Sequence, residues 1–372
     1  MRLTEPFDYT TFEFDRLVVE VSGHSRQQTD ELLRVLRLTD TDEYLALGTA
    51  ARVVASHQAA ARIQEHLVQL QTQLIIHVVQ PMFREGRRLL PRSIDNPYGE
   101  DAMGYKLGRL DSLSAQFPRI NFSVLAVDDG CDSGGDPSLI SSRVAREVTE
   151  EYRAAHPDSP VKTEVLLLSD LIREAPALGW ESRMANTGAS RKGGSVLAGF
   201  AYARRQASRR ANRLHLFVDC DADLSVHVDQ IMLLAEQILL GGNDGAVASR
   251  RHESSISYID PERDQRGQRY IQAWQVLLPA LAAQVVDTNR GLKAYSRHAV
   301  DIILDTVEER TFPYQIECLL ALVLSGARVA EVPVSYIDSV ALSTQSGTAV
   351  AQEYTDQLDR IRQIAIRYDQ IA

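Results

Sequence analysis

The sequence predicts an α/β protein built on a mostly parallel sheet flanked by helices. Three observations predict it. Short apolar runs recur between residues 74 and 218, each ends in a polar or glycine-containing loop, and helical stretches separate them. Alternating strand and helix makes neighbouring strands run parallel, and a parallel sheet is apolar on both faces and needs covering on both. At 372 residues, 44% hydrophobic and 24% charged, the chain can bury the core that such a sheet requires.

Residues 1 to 70 read as a mainly helical extension ahead of the sheet. Phe12 to Val21 alternates apolar and polar residues, a short helix follows Thr29, and a longer helix starts at about Asp42. In the longer helix Leu47, Ala51, Val54, Ile63, Leu67 and Leu70 recur at helical spacing, an apolar stripe that must pack on the core or on a second subunit.

The sheet domain is expected over residues 71 to 340. Its strands are Leu74 to Val79, Phe122 to Val127, Val165 to Leu168 and Leu214 to Val218, and a helix is expected from Val228 to Leu240. In such sheets ligands bind outside the carboxyl ends of the strands, where the polar loops of this sequence fall. Residues 341 to 372 form a C-terminal helix from about Ala349. Val350, Tyr354, Leu358, Ile361, Ile364 and Tyr368 share one side of it, so it packs on the core or on a partner subunit of a homodimer.

Composition excludes several classes. A formal net charge of −10 argues against general nucleic-acid affinity, which needs a concentrated basic face. Arg204-Arg205 and Arg209-Arg210 read as solvated helix faces, and Arg250-Arg251 is a third basic pair. No apolar run approaches the roughly 18 residues of a membrane span, and Met1 to Pro6 is unlike a secretory signal, so a cytoplasmic protein is expected. Cys131, Cys220 and Cys318 have neither pairing nor zinc spacing and suit core-filling roles in a reducing compartment.

The chemistry concentrates in the run Asp219-Cys220-Asp221-Ala222-Asp223, which follows a strand directly. Three carboxylates at that spacing repel one another unless a cation or donor groups compensate them. Oxygen ligands at the mouth of a sheet suit Mg²⁺ or Mn²⁺, which could bridge the phosphates of a nucleotide. Asp223 or Ser225 could instead cap the following helix, which accounts for one carboxylate but not three.

A second acidic loop, Asp128-Asp129-Gly130-Cys131-Asp132-Ser133-Gly134-Gly135-Asp136, stands in the same position after its own strand. A carboxylate there can accept from a nucleobase N–H, and the glycines let the backbone approach a ligand. A calcium loop is excluded, because no glutamate stands at the twelfth position from Asp128, Asp132 or Asp136. Lys192-Gly193-Gly194-Ser195 opens a helix with one cation and small residues, a setting that attracts a diphosphate, or serves as a plain glycine-rich turn. Its spacing matches neither a P-loop nor a dinucleotide fingerprint.

Taken in order, Gln80-Pro81-Met82-Phe83-Arg84-Glu85, Val127-Asp128-Asp129-Gly130, Lys192-Gly193-Gly194-Ser195-Val196 and Asp221-Ala222-Asp223-Leu224-Ser225 resemble family 2 glycosyltransferases of GT-A fold. The dolichyl-phosphate glucosyl- and mannosyltransferase branch looks most similar, although membrane segments are not evident. Ala248 to Arg251, Asp287 to Lys293, Phe312 to Glu317 and Glu331 to Val334 continue the resemblance, which covers about residues 73 to 338. It implies that Pro81, Phe83 and Glu85 line a nucleoside pocket, with one of Asp128 and Asp129 on the base. It also implies that Asp221 and Asp223 hold metal and donor, Asp219-Cys220-Asp221 being the competing register, and that Lys192 and Arg250 carry phosphate charge. Phe83-Arg84 departs from the family's usual tyrosine-asparagine.

The implied reaction is an inverting, metal-assisted transfer of a hexose from a nucleotide-diphosphate sugar, of UDP-glucose or GDP-mannose type, to a soluble acceptor. A hydroxyl acceptor needs a general base, for which Asp287 and Glu317 are the candidates, Glu317 alternatively pairing with Arg328 or Lys293. A sugar-1-phosphate nucleotidylyltransferase needs a glycine-rich basic loop where this chain has Gln80-Pro81-Met82-Phe83. A non-catalytic nucleotide-sugar-binding protein is the remaining alternative.

Overall fold

The computed structural model describes residues 8–36, 42–130, 135–208, 213–289, 291–338 and 350–371. Among its described residues the extension contains three helices, α1 (Phe12–Ser22), α2 (Arg26–Leu36) and α3 (Asp42–Gln69). The alternation across Phe12 to Val21 therefore does not make a strand. The same residues place Phe14, Leu17, Val18 and Val21 at helical spacing, and Thr11 caps the helix by accepting from the backbone N–H of Phe14. With one face packed on α3, the 3.6-residue period wins over the two-residue one.

The main sheet has seven strands. They are β1 (Leu74–Met82), β2 (Ile120–Asp128), β3 (Lys162–Leu167), β4 (Leu214–Cys220), β5 (Gly245–Ser249), β7 (Leu292–Ser296) and β8 (Val329–Pro333), in the order β3-β2-β1-β4-β7-β5-β8. All neighbours are parallel except β7, which runs antiparallel to both β4 and β5. Two short strands, β6 (Ile256–Tyr258) and β9 (Ser335–Ile337), pair separately. The mostly parallel, helix-flanked sheet expected from the sequence is present.

Successive side chains of β1 serve opposite faces, with Ile76 and Val78 in one apolar cluster and Val79 in the other. The first face is covered by α3, α4 (Gly86–Leu89), α5 (Ala102–Gln116), α6 (Ser141–Ala155) and α9 (Ile231–Leu239). Ala59, Ala60, Ile63 and Leu67 of α3 are fully buried there, so this part of the stripe is spent on the core. The second face is covered by α7 (Leu168–Leu178), α8 (Lys192–Ser208), α10 (Pro261–Leu277), α11 (Pro279–Ala282), α12 (Arg297–Thr306), α13 (Tyr314–Leu324) and α14 (Val350–Arg367). Helix α8 lies so close to β1 that a Cβ on Gly199 would stand 2.5 Å from Val79.

Helix α14 packs Tyr354, Leu358, Ile361, Ile364 and Tyr368 on this second cluster. The expected helix from Val228 begins as a single 3₁₀ turn and becomes α-helical at Ile231. Arg204 is not simply solvated: it pairs with Asp301 and donates to the Gly179 carbonyl. Arg209, Arg210 and Cys131 lie outside the described residues, and Cys220 and Cys318 are buried. No helix among the described residues is long and apolar enough to cross a membrane.

Candidate active site

The carboxyl ends of β1, β2, β4 and β5 open on one cleft of about 850 Å³. Pro81, Phe83 and Glu85 enter it from the end of β1, Asp129 from β2, Lys192 from the start of α8, Asp221 and Asp223 from β4, and Arg250 from β5. Helices α10 and α14 supply the outer wall, including the aromatic pair Tyr270 and Tyr354, whose ring centroids are 5.6 Å apart.

The acidic run divides by function. Asp219 is still in β4, 1% exposed, and accepts from the Tyr314 hydroxyl at 2.6 Å. Lys192 Nζ lies 2.5 Å from Asp221 Oδ1 and 3.5 Å from Asp219 Oδ1, so one ammonium offsets two carboxylates. Asp223 uses Oδ1 to accept from the backbone and hydroxyl of Ser225, an Asx-type turn that leaves Oδ2 without a hydrogen bond. The helix-cap role considered for Asp223 belongs instead to His227, which caps the 3₁₀ turn. Of the two registers, Asp221 and Asp223 line the cleft and Asp219 does not.

The backbone of this loop is fixed from several sides. Asp221 N–H donates to the Gly291 carbonyl at 2.7 Å, Lys106 Nζ donates to the Asp221 carbonyl at 2.5 Å, and Leu224 N–H donates to Glu100 at 3.1 Å. Gly291 lets the Asp221 carboxylate take this position, because a Cβ there would meet it at 2.0 Å and displace it. Behind the run, Lys293 is fully buried, pairs in register with Asp219 and donates to Gln315 at 2.6 Å. Burial pushes its amine down to about 8 against the opposing pull of Asp219.

The second acidic loop also divides. Asp128 is occupied by structure, accepting from the backbone of Gly130 at 3.0 Å and of Ser142 at 2.8 Å. Asp129 lines the cleft, is buried, and has an Oδ1 with no hydrogen-bond partner among the described residues. Burial pushes its carboxyl up to about 7, opposed by the nearby Ser190 hydroxyl and by Arg191. Burial likewise raises Glu85 to about 7 against the pull of Arg88, 2.6 Å away. Phe83 is 40% exposed, with the Arg84 guanidinium over its ring.

The two carboxylates expected as general bases do not line the cleft. A base must reach the acceptor, and Asp287 and Glu317 are fully buried and contribute nothing to the cleft lining. Asp287 Oδ2 accepts from the backbone and the Nε of Arg250, each at 3.1 Å, and so aims that guanidinium. Glu317 pairs with neither Arg328 nor Lys293. It accepts from Arg367 of α14 at 2.5 Å and from the backbones of Glu308 and Glu309.

Sequence reasoning missed the α10 and α14 wall, Asn289 and Gln315 in the cleft, and the Arg88 link between Glu85 and Glu100. The apolar stripe of α14 was legible, but nothing in it marks the opposite side as part of a site.

Asp221 and Asp223 offer the hard oxygen donors that Mg²⁺ or Mn²⁺ takes. Among the described residues no group of three or more His, Cys, Asp or Glu is placed to form a complete protein cage. Two carboxylates with substrate phosphates and water suit Mg²⁺ in particular, which keeps part of its hydration.

No family model matches the chain. Over 227 residues it is 24% identical to glycosyltransferase AglD of Haloferax volcanii, a match covering 61% of this chain and 29% of that protein. It is similar to a glycosyltransferase. The chain spans less than a third of that relative's length. Among solved structures, mannosyl-3-phosphoglycerate synthase from Rubrobacter xylanophilus aligns at 13% identity and a TM-score of 0.49, over 85% of this chain and 79% of that one. Glucosyl-3-phosphoglycerate synthase from Mycobacterium tuberculosis aligns at 12% identity and a TM-score of 0.47, over 82% and 84%.

Proposed function

We propose that the chain transfers a hexose from a nucleotide-diphosphate sugar to a small acceptor, with Asp221 and Asp223 holding a divalent cation. One observation carries the reading. A single cleft at the strand ends gathers an unpaired, buried carboxylate oxygen on Asp129, the Lys192–Asp221 pair and Asp223, the groups that a nucleobase, a diphosphate and a cation respectively require.

In this reading Pro81, Phe83 and Glu85 border the nucleoside and Asp129 accepts from the base N–H. Lys192 and Arg250 bind phosphate oxygens, Arg250 in the orientation that Asp287 imposes. A bound Mg²⁺ or Mn²⁺ would add Lewis-acid stabilisation of charge on the departing diphosphate. Fixed cations aimed at that position lower the barrier because they need no reorganisation as charge develops. For the inverting course, the base comes from the α14 wall, where Glu353 and Asp356 line the cleft.

Arg191, Arg266 and Arg360 also line the cleft and are exposed, which favours an acceptor bearing a phosphate or carboxylate. The nucleotidylyltransferase alternative is disfavoured by the apolar entry Pro81-Met82-Phe83 in place of a glycine-rich basic loop.

The test is a thermal-shift series with UDP-glucose and GDP-mannose, each with and without Mn²⁺, followed by assay of nucleoside diphosphate release. One donor is expected to raise Tm only with the metal, because a ligand of the folded state stabilises it by mass action. Release that is absent, with donor binding intact, would leave the non-catalytic binding protein as the better description.

A further inference from the structure

The extension does more than cover the core, because it reaches the back of the acidic loop. Tyr9, just ahead of α1, is 5% exposed and donates its hydroxyl to the carbonyl of Leu224, the residue after Asp223. Its ring packs against His227, with centroids 5.0 Å apart, and against Tyr105 at 5.7 Å. Tyr105 in turn bonds His227 Nε2 at 2.8 Å.

Beneath these rings lies Asp229, fully buried, whose carboxylate two groups hold. Arg109 reaches it at 2.6 Å and His57 of α3 at 2.8 Å, while the backbone N–H of Asp229 donates to His227 Nδ1. Arg109 also reaches Asp15 of α1, at 3.7 Å. The extension therefore touches the segment 224–229 at one end through Tyr9 and at the other through His57. Leu224 is held on both backbone atoms, its N–H by Glu100 and its carbonyl by Tyr9. These two groups belong to the successive peptide units on either side of the Leu224 Cα, so both units are restrained, and Asp223 is attached to the first of them.

We infer that Tyr9 is a positioning residue for the Asp221–Asp223 pair, so that the extension sets how well the loop binds a divalent cation. The inference rests on the proposed function for what the loop holds, but the hydrogen bond and its effect on the loop are independent of that reading. Tyr9→Phe removes one hydroxyl and keeps the ring packing. Thr11→Ala serves as the control, since it removes the α1 cap without touching the loop.

The experiment uses the full chain and two readouts. Hydrogen exchange of the amides of residues 221 to 226 should become about five-fold faster in Tyr9→Phe, the worth of one neutral hydrogen bond, while Thr11→Ala leaves it unchanged. Donor turnover titrated with Mn²⁺ should show a half-saturating metal concentration raised by a similar factor, with the rate recovering at high Mn²⁺. Unchanged exchange in Tyr9→Phe, or equal acceleration in both variants, overturns the inference. Wild-type protein that turns over no nucleotide sugar would sink the proposed function instead, and the exchange result would still decide the role of Tyr9.

Discussion

Lys192 Nζ stands 2.5 Å from Asp221 Oδ1, the shortest link between the start of α8 and the acidic run. The same ammonium lies 3.5 Å from the buried Asp219, and both partners are largely shielded from water. Removing the cation leaves two neighbouring carboxylates with less compensation and takes one positive charge from the proposed phosphate site. Lys192→Met is therefore expected to lower kcat/KM for donor by about 10² to 10³ at saturating Mn²⁺, with Lys192→Arg failing to restore it because a planar guanidinium cannot replace a compact ammonium. Steady-state release of nucleoside diphosphate measures this, and full activity in Lys192→Met would remove the lysine from the site.

Asp223→Ala separates the metal site from the rest of the cleft. Among the described residues Asp223 hydrogen-bonds to Ser225 of its own loop, so its loss should cost little stability. Activity at any Mn²⁺ concentration should fall by at least about 10², the scale on which a stabilising group for developing charge acts. Intact donor turnover in this variant would refute the assignment of the pair.

The pH dependence follows from Asp129. Its carboxyl titrates near 7 instead of at its ordinary 3.8 because it is buried. Only the charged form is a pure acceptor, so donor affinity should rise with pH through about 7 and flatten above it. Stability runs the other way. The folded state holds this proton more tightly than the unfolded chain, so its contribution is complete below about pH 4 and is lost as pH rises towards 7. Asp129→Asn should reduce both slopes, leaving the share that the similarly raised Glu85 contributes, and raise Tm relative to wild type most at pH 8, as read by calorimetry and donor titration.

The contact between Asp287 and Arg250 gives the proposed site a test of whether Asp287 works through that guanidinium or on the acceptor. Asp287→Asn weakens a charge-assisted contact that aims the guanidinium, so donor KM should rise about ten-fold with little change in the pH profile of kcat. Glu353→Gln, on the α14 wall, should instead remove the acid limb of that profile. An Asp287→Asn variant that loses the acid limb while keeping its KM would return Asp287 to the role of base.

Much of this was legible because strand ends leave local signatures. A run such as Leu214 to Val218 followed at once by Asp219-Cys220-Asp221 states both the strand and its mouth, but which two of the three carboxylates face the cleft is settled only by where β4 ends. What the residues around Asp287 and Glu317 lacked was any local mark of direction. Both carboxylates follow apolar positions, and only the fold reveals that Arg250 and Arg367 reach them first. The segment Phe12 to Val21 satisfied two periodicities together, and the choice between them was made by Thr11 and by packing on α3. Tyr9 was invisible for the same reason, since its partner Leu224 is 215 residues away.

The contact between Glu317 and Arg367 makes the last test one of stability. Glu317 is fully buried, and burial raises its carboxyl, while Arg367 and the Glu308 and Glu309 amides pull it down. Arg367 is 33% exposed, so losing it costs less than breaking a fully buried pair. Arg367→Ala should lower stability by about 1 to 3 kcal/mol, seen as a lower urea midpoint with an unchanged m-value. Because α14 also forms the outer wall of the cleft through Tyr354 and Glu353, the variant should bind donor normally but show a raised KM for acceptor. If donor affinity fell while acceptor KM held, α14 would belong to the nucleotide side of the cleft.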